Sequence, residues 1–180
     1  MIFGRCQGER ANAEGVDTTT IHDHTLSMTL SEMLREELVL PKIACTSKDE
    51  LISKLVDRIL ETDKNLPFLK NEVMNIVNMR EQIGGTLLPS GLSIPHARLR
   101  NFEGFVLALG TPQEALFHEG LQIHMMALMF TSQSGGAYYL PVLAALTKIS
   151  KDREFFARLC EAGNSAGLIQ LIREQDMELV

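Results

Sequence analysis

Several protein classes are excluded by what this sequence lacks. It has three cysteines, Cys6, Cys45 and Cys160. They are odd in number and far apart, with no CxxC pair and no neighbouring histidine at zinc spacing, so the sequence encodes neither a disulfide framework nor a structural zinc site. The thiols read as reduced and cytosolic. No stretch reaches the roughly 18 consecutive apolar residues of a membrane-spanning helix. The opening MIFGRCQGERANAEG lacks the apolar middle of a secretory signal. The expected location is therefore the cytoplasm, with no direct membrane insertion. Positive charge is scarce as well: 17 basic against 23 acidic residues leave a net charge of −6, the wrong sign for holding a phosphate backbone, so nucleic acid is not an expected partner. What is present is ordinary for one globular domain. The 180 residues are 45% apolar, 22% charged and 6% aromatic, and a chain of that length buries roughly two thirds of its surface without a metal or a cross-link.

Residues 1–27 carry scarcely any hydrophobic pattern, which predicts a disordered N-terminal extension followed by one domain over 28–180. His22 and His24 fall in that extension and read as part of a solvated polar run, not as metal ligands. From Ser47 the pattern is helical: Ser47 and Glu50 have capping-box spacing, and Leu51, Ile52, Leu55, Val56, Ile59 and Leu60 form one stripe ending near Asp63. A second helix is expected through Val73, Met74, Ile76 and Val77 to Arg80 and Glu81, stopped by Gly84-Gly85. Segments 91–96, 105–111 and 123–130 read as strands, although the last could also be a buried helix. Three helical segments follow, around Leu140–Leu146, Phe155–Leu159 and Leu168–Ile172. Helices first, strands in the middle and helices last predict a single α/β domain, a mixed central sheet with helices packed on both faces.

The densest group of informative residues is Arg80-Glu-Gln-Ile-Gly-Gly-Thr-Leu-Leu-Pro-Ser-Gly-Leu-Ser-Ile-Pro-His-Ala-Arg98. Pro95 biases Ile94 toward extended geometry, which places His96 at a strand end where a reactive group can be exposed. An imidazole there could be a nucleophile, a general base or a metal ligand. A zinc site needs further ligands at short spacing and a serine hydrolase needs a nucleophile elbow; neither pattern surrounds His96. A phosphoryl acceptor needs a neutral imidazole beside cations and backbone N–H groups, which Arg80, Arg98, Thr86 and the Gly84-Gly85 turn would supply.

This cluster resembles the histidine motif of the fructose/mannitol-type enzyme IIA family of the bacterial phosphotransferase system, including its nitrogen-regulatory branch. The shared features are a helix ending in Arg80-Glu81, a turn at Gly85-Thr86 and the run Gly91-Leu-Ser-Ile-Pro-His-Ala-Arg98; the resemblance covers about residues 28–175. It implies that His96 receives a phosphoryl group from HPr or an HPr-like carrier, with Arg80 as its counter-charge, Gly84, Gly85 and Arg98 as phosphate-binding groups, and no cofactor or metal. A IIB component or a regulated protein would be the downstream partner. With no IIB or IIC segment attached, a regulatory role is expected over dedicated sugar uptake. Two departures stand out. Tyr139 occupies the place of the family's second histidine, and Leu87 and Pro89 stand in a turn that is commonly richer in glycine. They motivate an alternative expectation, a non-phosphorylated regulatory module that docks a partner through the same pocket. Arg80, Thr86 and Tyr139 are expected to converge on His96 at the mouth of a shallow surface depression. His118 and His124 read as structural, and Met125, Met126 and Met129 as core filler.

Overall fold

The computed structural model describes residues 28–133 and 136–175. The expected disordered extension, with His22 and His24, and Cys6 lie outside the described residues. A one-turn helix α1 (Leu30–Met33), capped by Thr29, leads through a 3-10 turn into strand β1 (Val39–Ile43). Helices α2 (Lys48–Thr62) and α3 (Lys70–Ile83) follow. Next come two short strands, β2 (Leu92–Ser93) and β3 (His96–Leu99), the long β4 (Phe105–Pro112), a hairpin of β5 (Leu116–His118) and β6 (Leu121–Ile123), and the long β7 (Met125–Ser132). Helices α4 (Tyr139–Lys151), α5 (Arg153–Glu161) and α6 (Ser165–Glu174) complete the domain. Among the described residues, no helix is long and apolar enough to cross a membrane.

Helix α2 forms where its cap and stripe predict. The Ser47 hydroxyl accepts from the Glu50 N–H at 3.2 Å, while Leu51, Ile52, Leu55, Val56 and Ile59 are buried. The second half of the capping box is absent, because the Glu50 carboxylate accepts from the Thr46 N–H and hydroxyl instead. Asp152 caps α5 and Asn164 caps α6 in the same manner, each accepting from the N–H three residues on.

The sheet is mixed, in the order β1-β4-β7 with β2 and β3 both on the far side of β7. β4 and β7 are antiparallel, whereas β1 runs parallel to β4, and β2 and β3 run parallel to β7. The ambiguous run at 123–130 is thus the central strand, and its lack of alternation has a physical cause. Met125, Ala127 and Met129 enter a core with α1, α4, α5 and α6, while Met126, Leu128 and Phe130 enter a second core with α2 and α3. A strand covered on both faces reads as continuously apolar. Each fully buried large side chain among these contributes about 1.5–3 kcal/mol.

Segment 91–96 differs from the single strand its composition predicts. Pro95 has no N–H to give the ladder, so pairing breaks into β2 and β3; its carbonyl still accepts from the Met129 N–H at 3.0 Å. Pairing resumes at His96, opposite Met129, on the edge of the sheet.

Candidate functional site

His96 therefore begins an edge strand instead of ending one. Side chains alternate along β3: Ala97 and Leu99 enter the α2/α3 core, which leaves His96 and Arg98 on the side of α4. Two helices on opposite faces of the sheet reach around this edge to the imidazole. From the last turn of α3, Arg80 Nε donates to His96 Nε2 at 3.1 Å, and its Nη1 donates to the Gly84 carbonyl at 2.9 Å. The helix end fixes the guanidinium by its own terminal carbonyl. From the first turn of α4, the Tyr139 hydroxyl lies 3.4 Å from Nε2, with the two rings 5.2 Å apart and inclined at 51°. The Arg98 guanidinium sits 5.8 Å from the Tyr139 ring centroid, within cation–π range.

These bonds set the protonation of the ring. Nε2 accepts from a guanidinium that cannot give up its proton, so Nε2 carries a lone pair and the proton of the neutral imidazole is on Nδ1. The ring also hydrogen-bonds the Ile94 backbone, which favours the protonated form, as does the Glu81 charge. Burial acts against it, joined by the charges of Arg80 and Arg98, and the result is a pKa below the ordinary value of 6.5. The site holds a neutral nucleophilic nitrogen facing two hydrogen-bond donors, with a second guanidinium close by.

The expected exposure is not what the structure has. His96 is 4% exposed, because Arg80 and Tyr139 lie over Nε2 where an open depression was expected. Arg80 and Tyr139, reaching from α3 and α4, both lie against Nε2, and one of them is cationic.

Thr86 does not join Arg80 and Tyr139 at the ring. Its hydroxyl donates to Glu81 Oε1 at 2.7 Å, while its carbonyl accepts from the Ile94 N–H at 3.1 Å. Glu81 Oε2 in turn meets Lys48 Nζ at 2.5 Å in an ion pair whose side chains are only 12% and 5% exposed. Lys48 Nζ is 3.4 Å from His118 Nε2. Glu81 and Lys48 thus tie the end of α3 to the start of α2 directly beside Arg80. Sequence reasoning missed both as site-supporting residues. Glu81 adjoins Arg80 in the motif, which is a signal; Lys48 is 33 positions from Glu81 and left none. Gly84 has an extended backbone (φ 178°) and Gly85 has ordinary clearance, so neither needs the left-handed conformation, and Gly84 serves the site through its carbonyl. Gly91 is the glycine the fold requires: φ is +89°, and a Cβ would lie 2.5 Å from the His124 ring and 2.9 Å from the Gln122 carbonyl. Among the described residues, no group of three His, Cys, Asp or Glu side chains could hold a metal ion.

Comparison with known proteins gives this geometry a context. The family model described as phosphoenolpyruvate-dependent sugar phosphotransferase system, EIIA 2 matches residues 32–175. The chain is similar to a nitrogen regulatory protein of Bradyrhizobium diazoefficiens, 24% identical over 136 residues, which cover 73% of this chain and 86% of that one. Its fold is similar to the crystal structure of the nitrogen regulatory protein IIA-Ntr from Neisseria meningitidis, with a TM-score of 0.65 at 16% identity over 79% of this chain and 97% of that chain. It is also similar to enzyme IIA of mannitol from Escherichia coli, solved in complex with phosphorylated enzyme IIB, with a TM-score of 0.61 at 15% identity over 78% of this chain and 97% of that one.

Proposed function

The chain belongs to the EIIA 2 family of the phosphoenolpyruvate-dependent sugar phosphotransferase system, and on that premise we propose that it is a phosphohistidine phosphocarrier whose acceptor atom is His96 Nε2. The observation that carries this reading is the hydrogen bond from Arg80 Nε to Nε2. It leaves a lone pair on the one ring nitrogen that already faces a fixed positive charge. In the transfer, the Nε2 lone pair attacks the phosphorus of a phosphohistidine on HPr or an HPr-like carrier. The phosphorus–nitrogen bond of the donor breaks as the new one forms, and the donor imidazole leaves with the electron pair. The Nδ1 proton stays in place, and the Ile94 backbone stabilises the positive charge that develops on the His96 ring. Such transfers depend on positioning and charge stabilisation more than on covalent chemistry. As the phosphoryl group arrives, Arg80 Nε and the Tyr139 hydroxyl release Nε2, while the bond to the Gly84 carbonyl keeps the guanidinium in place to bind the phosphoryl oxygens.

A protein donor must dock here, and the surroundings suit one. Met79 and Ile83 flank Arg80 on α3, Leu140 follows Tyr139 on α4, and all three are exposed. Exposed apolar side chains around a polar centre are what a protein–protein contact uses as anchors. The downstream acceptor is a IIB component or a regulated protein. The mannitol enzyme IIA complexed with phosphorylated IIB supports the first, while the likeness to nitrogen regulatory proteins supports the second. We favour a regulatory, cytoplasmic role. Incubation with phosphoenolpyruvate, enzyme I and HPr should add about 80 Da, the mass of one phosphoryl group, under acid-free mass spectrometry. The same gain in His96→Ala would refute the assignment.

Two observations favour a second reading. The ring is covered, and a tyrosine stands where the family has its second histidine, as a regulatory module that docks its partner without being phosphorylated would require. That reading predicts equal partner affinity for wild type, His96→Ala and His96→Asp, with no phosphoryl group ever incorporated.

A further inference from the structure

At the other end of β7, about five residues or roughly 15 Å along the strand from the level of His96, lies a cleft of about 640 Å³. It opens between the end of β1, the turn before β2 and the corner where α4 meets α5. Its size is that of a small-molecule site. Three cations line it, Lys42, Lys151 and Arg153, against one acid, Glu161. That makes a local formal charge of +2 within a chain of net charge −6.

None of the three cations forms an ion pair with a carboxylate among the described residues; Lys42 Nζ donates instead to the Cys160 carbonyl at 3.0 Å. Independently, the backbone is distorted to put Lys42 there. The β1–β4 register shifts between Leu40 and Ile43, and Lys42 adopts φ +55°, a left-handed conformation that side chains other than glycine rarely take. Its N–H, turned out of the ladder, donates to Thr111 Oγ1 at 2.9 Å. The irregularity thus holds the Lys42 side chain at the wall of the cleft, with its ammonium against the Cys160 carbonyl. Ser90, whose hydroxyl is buried without a hydrogen-bond partner, also lines the cleft, and Phe156 supplies an apolar wall.

We propose that this cleft binds a small organic dianion, a phosphate monoester or a dicarboxylate, held between Lys42, Lys151 and Arg153 with its carbon skeleton against Phe156. The excess charge of +2 matches a dianion, and the mixed wall matches an organic ligand better than a bare ion. The site uses none of the residues placed around His96.

Titration calorimetry on the full chain at low salt, with glucose 6-phosphate and succinate as probes and glucose and acetate as controls, tests this. Saturable binding of one dianion and of neither control is expected, with a preference that tells phosphate ester from dicarboxylate. Arg153→Ala and Lys151→Ala, both exposed positions, should each weaken that binding at least fivefold while leaving the unfolding temperature unchanged. Absence of saturable binding by both dianions would overturn the proposal. So would binding that survives in both variants, or that is lost in Arg80→Ala, which would place the dianion at His96.

Discussion

The two sides of the His96 ring are built differently. On the α3 side, Arg80 is held at both ends of its guanidinium, by Nε2 of the ring and by the Gly84 carbonyl, beside a buried Glu81–Lys48 pair that Thr86 completes. On the α4 side, Tyr139 has a 3.4 Å contact with Nε2, tilted ring packing and an arginine over its face. The first arrangement is preorganised and carries the charge; the second is looser and neutral. Of the two departures from the family motif, the one that touches the ring, Tyr139, falls on the loose side. A phosphocarrier can tolerate that substitution if the counter-charge comes from α3, and the contrast can be broken experimentally from either side.

The largest effect is expected from Arg80→Ala. Removing one preorganised donor of this kind costs about 2.7–4 kcal/mol of transition-state stabilisation, about 10²- to 10³-fold in rate, which rapid-quench measurement of phosphoryl transfer from HPr would read. A drop below tenfold would show that the α3 side is not the charge source. Lys48→Ala should come next, through stability: it leaves Glu81, 12% exposed, with only the Thr86 hydroxyl as a partner, and a loss of about 3 kcal/mol is expected in chemical denaturation. The double variant Lys48→Met/Glu81→Gln should recover a substantial part of it.

The pH dependence follows from the lowered pKa of His96, caused first by burial and then by Arg80. Below the ordinary value of 6.5, the unfolded chain takes up this proton before the folded chain does. The unfolded state then binds more protons, so stability rises with pH in that window and falls as pH drops from about 6.5 toward the lowered pKa. Wild type should lose more stability than His96→Gln between pH 7.5 and 5.5, measured by urea unfolding. The acid limb of phosphoryl acceptance should likewise lie below pH 6.5. Tyr139→Phe should have the smallest effect, less than tenfold on transfer, while Tyr139→His should raise the rate if the α4 side limits it.

Much of this was legible in the sequence where the determinant is local. Helix α2 announced itself because its cap and its apolar stripe fall within one segment, and Arg80, His96 and Tyr139 because a motif fixes their spacing. The central strand at Met125–Ser132 was ambiguous because both its faces are buried, which erases the alternation that distinguishes strand from helix. Strand β1 was missed because Pro41 and the bulged Lys42 interrupt its pattern, and the β5–β6 hairpin because its exposed Phe117 and Leu121 obscure which face is apolar. The Lys48–Glu81 link was illegible, since a contact across 33 positions leaves no periodicity. The cover over the ring depends on how long side chains lie at a helix end, which spacing does not encode.

The most direct test is nitrogen-15 NMR of the histidine rings after phosphorylation by HPr. The phosphoryl group is expected on Nε2 of His96, with the proton remaining on Nδ1. A phosphoryl group on Nδ1, on another residue, or on none would contradict this assignment.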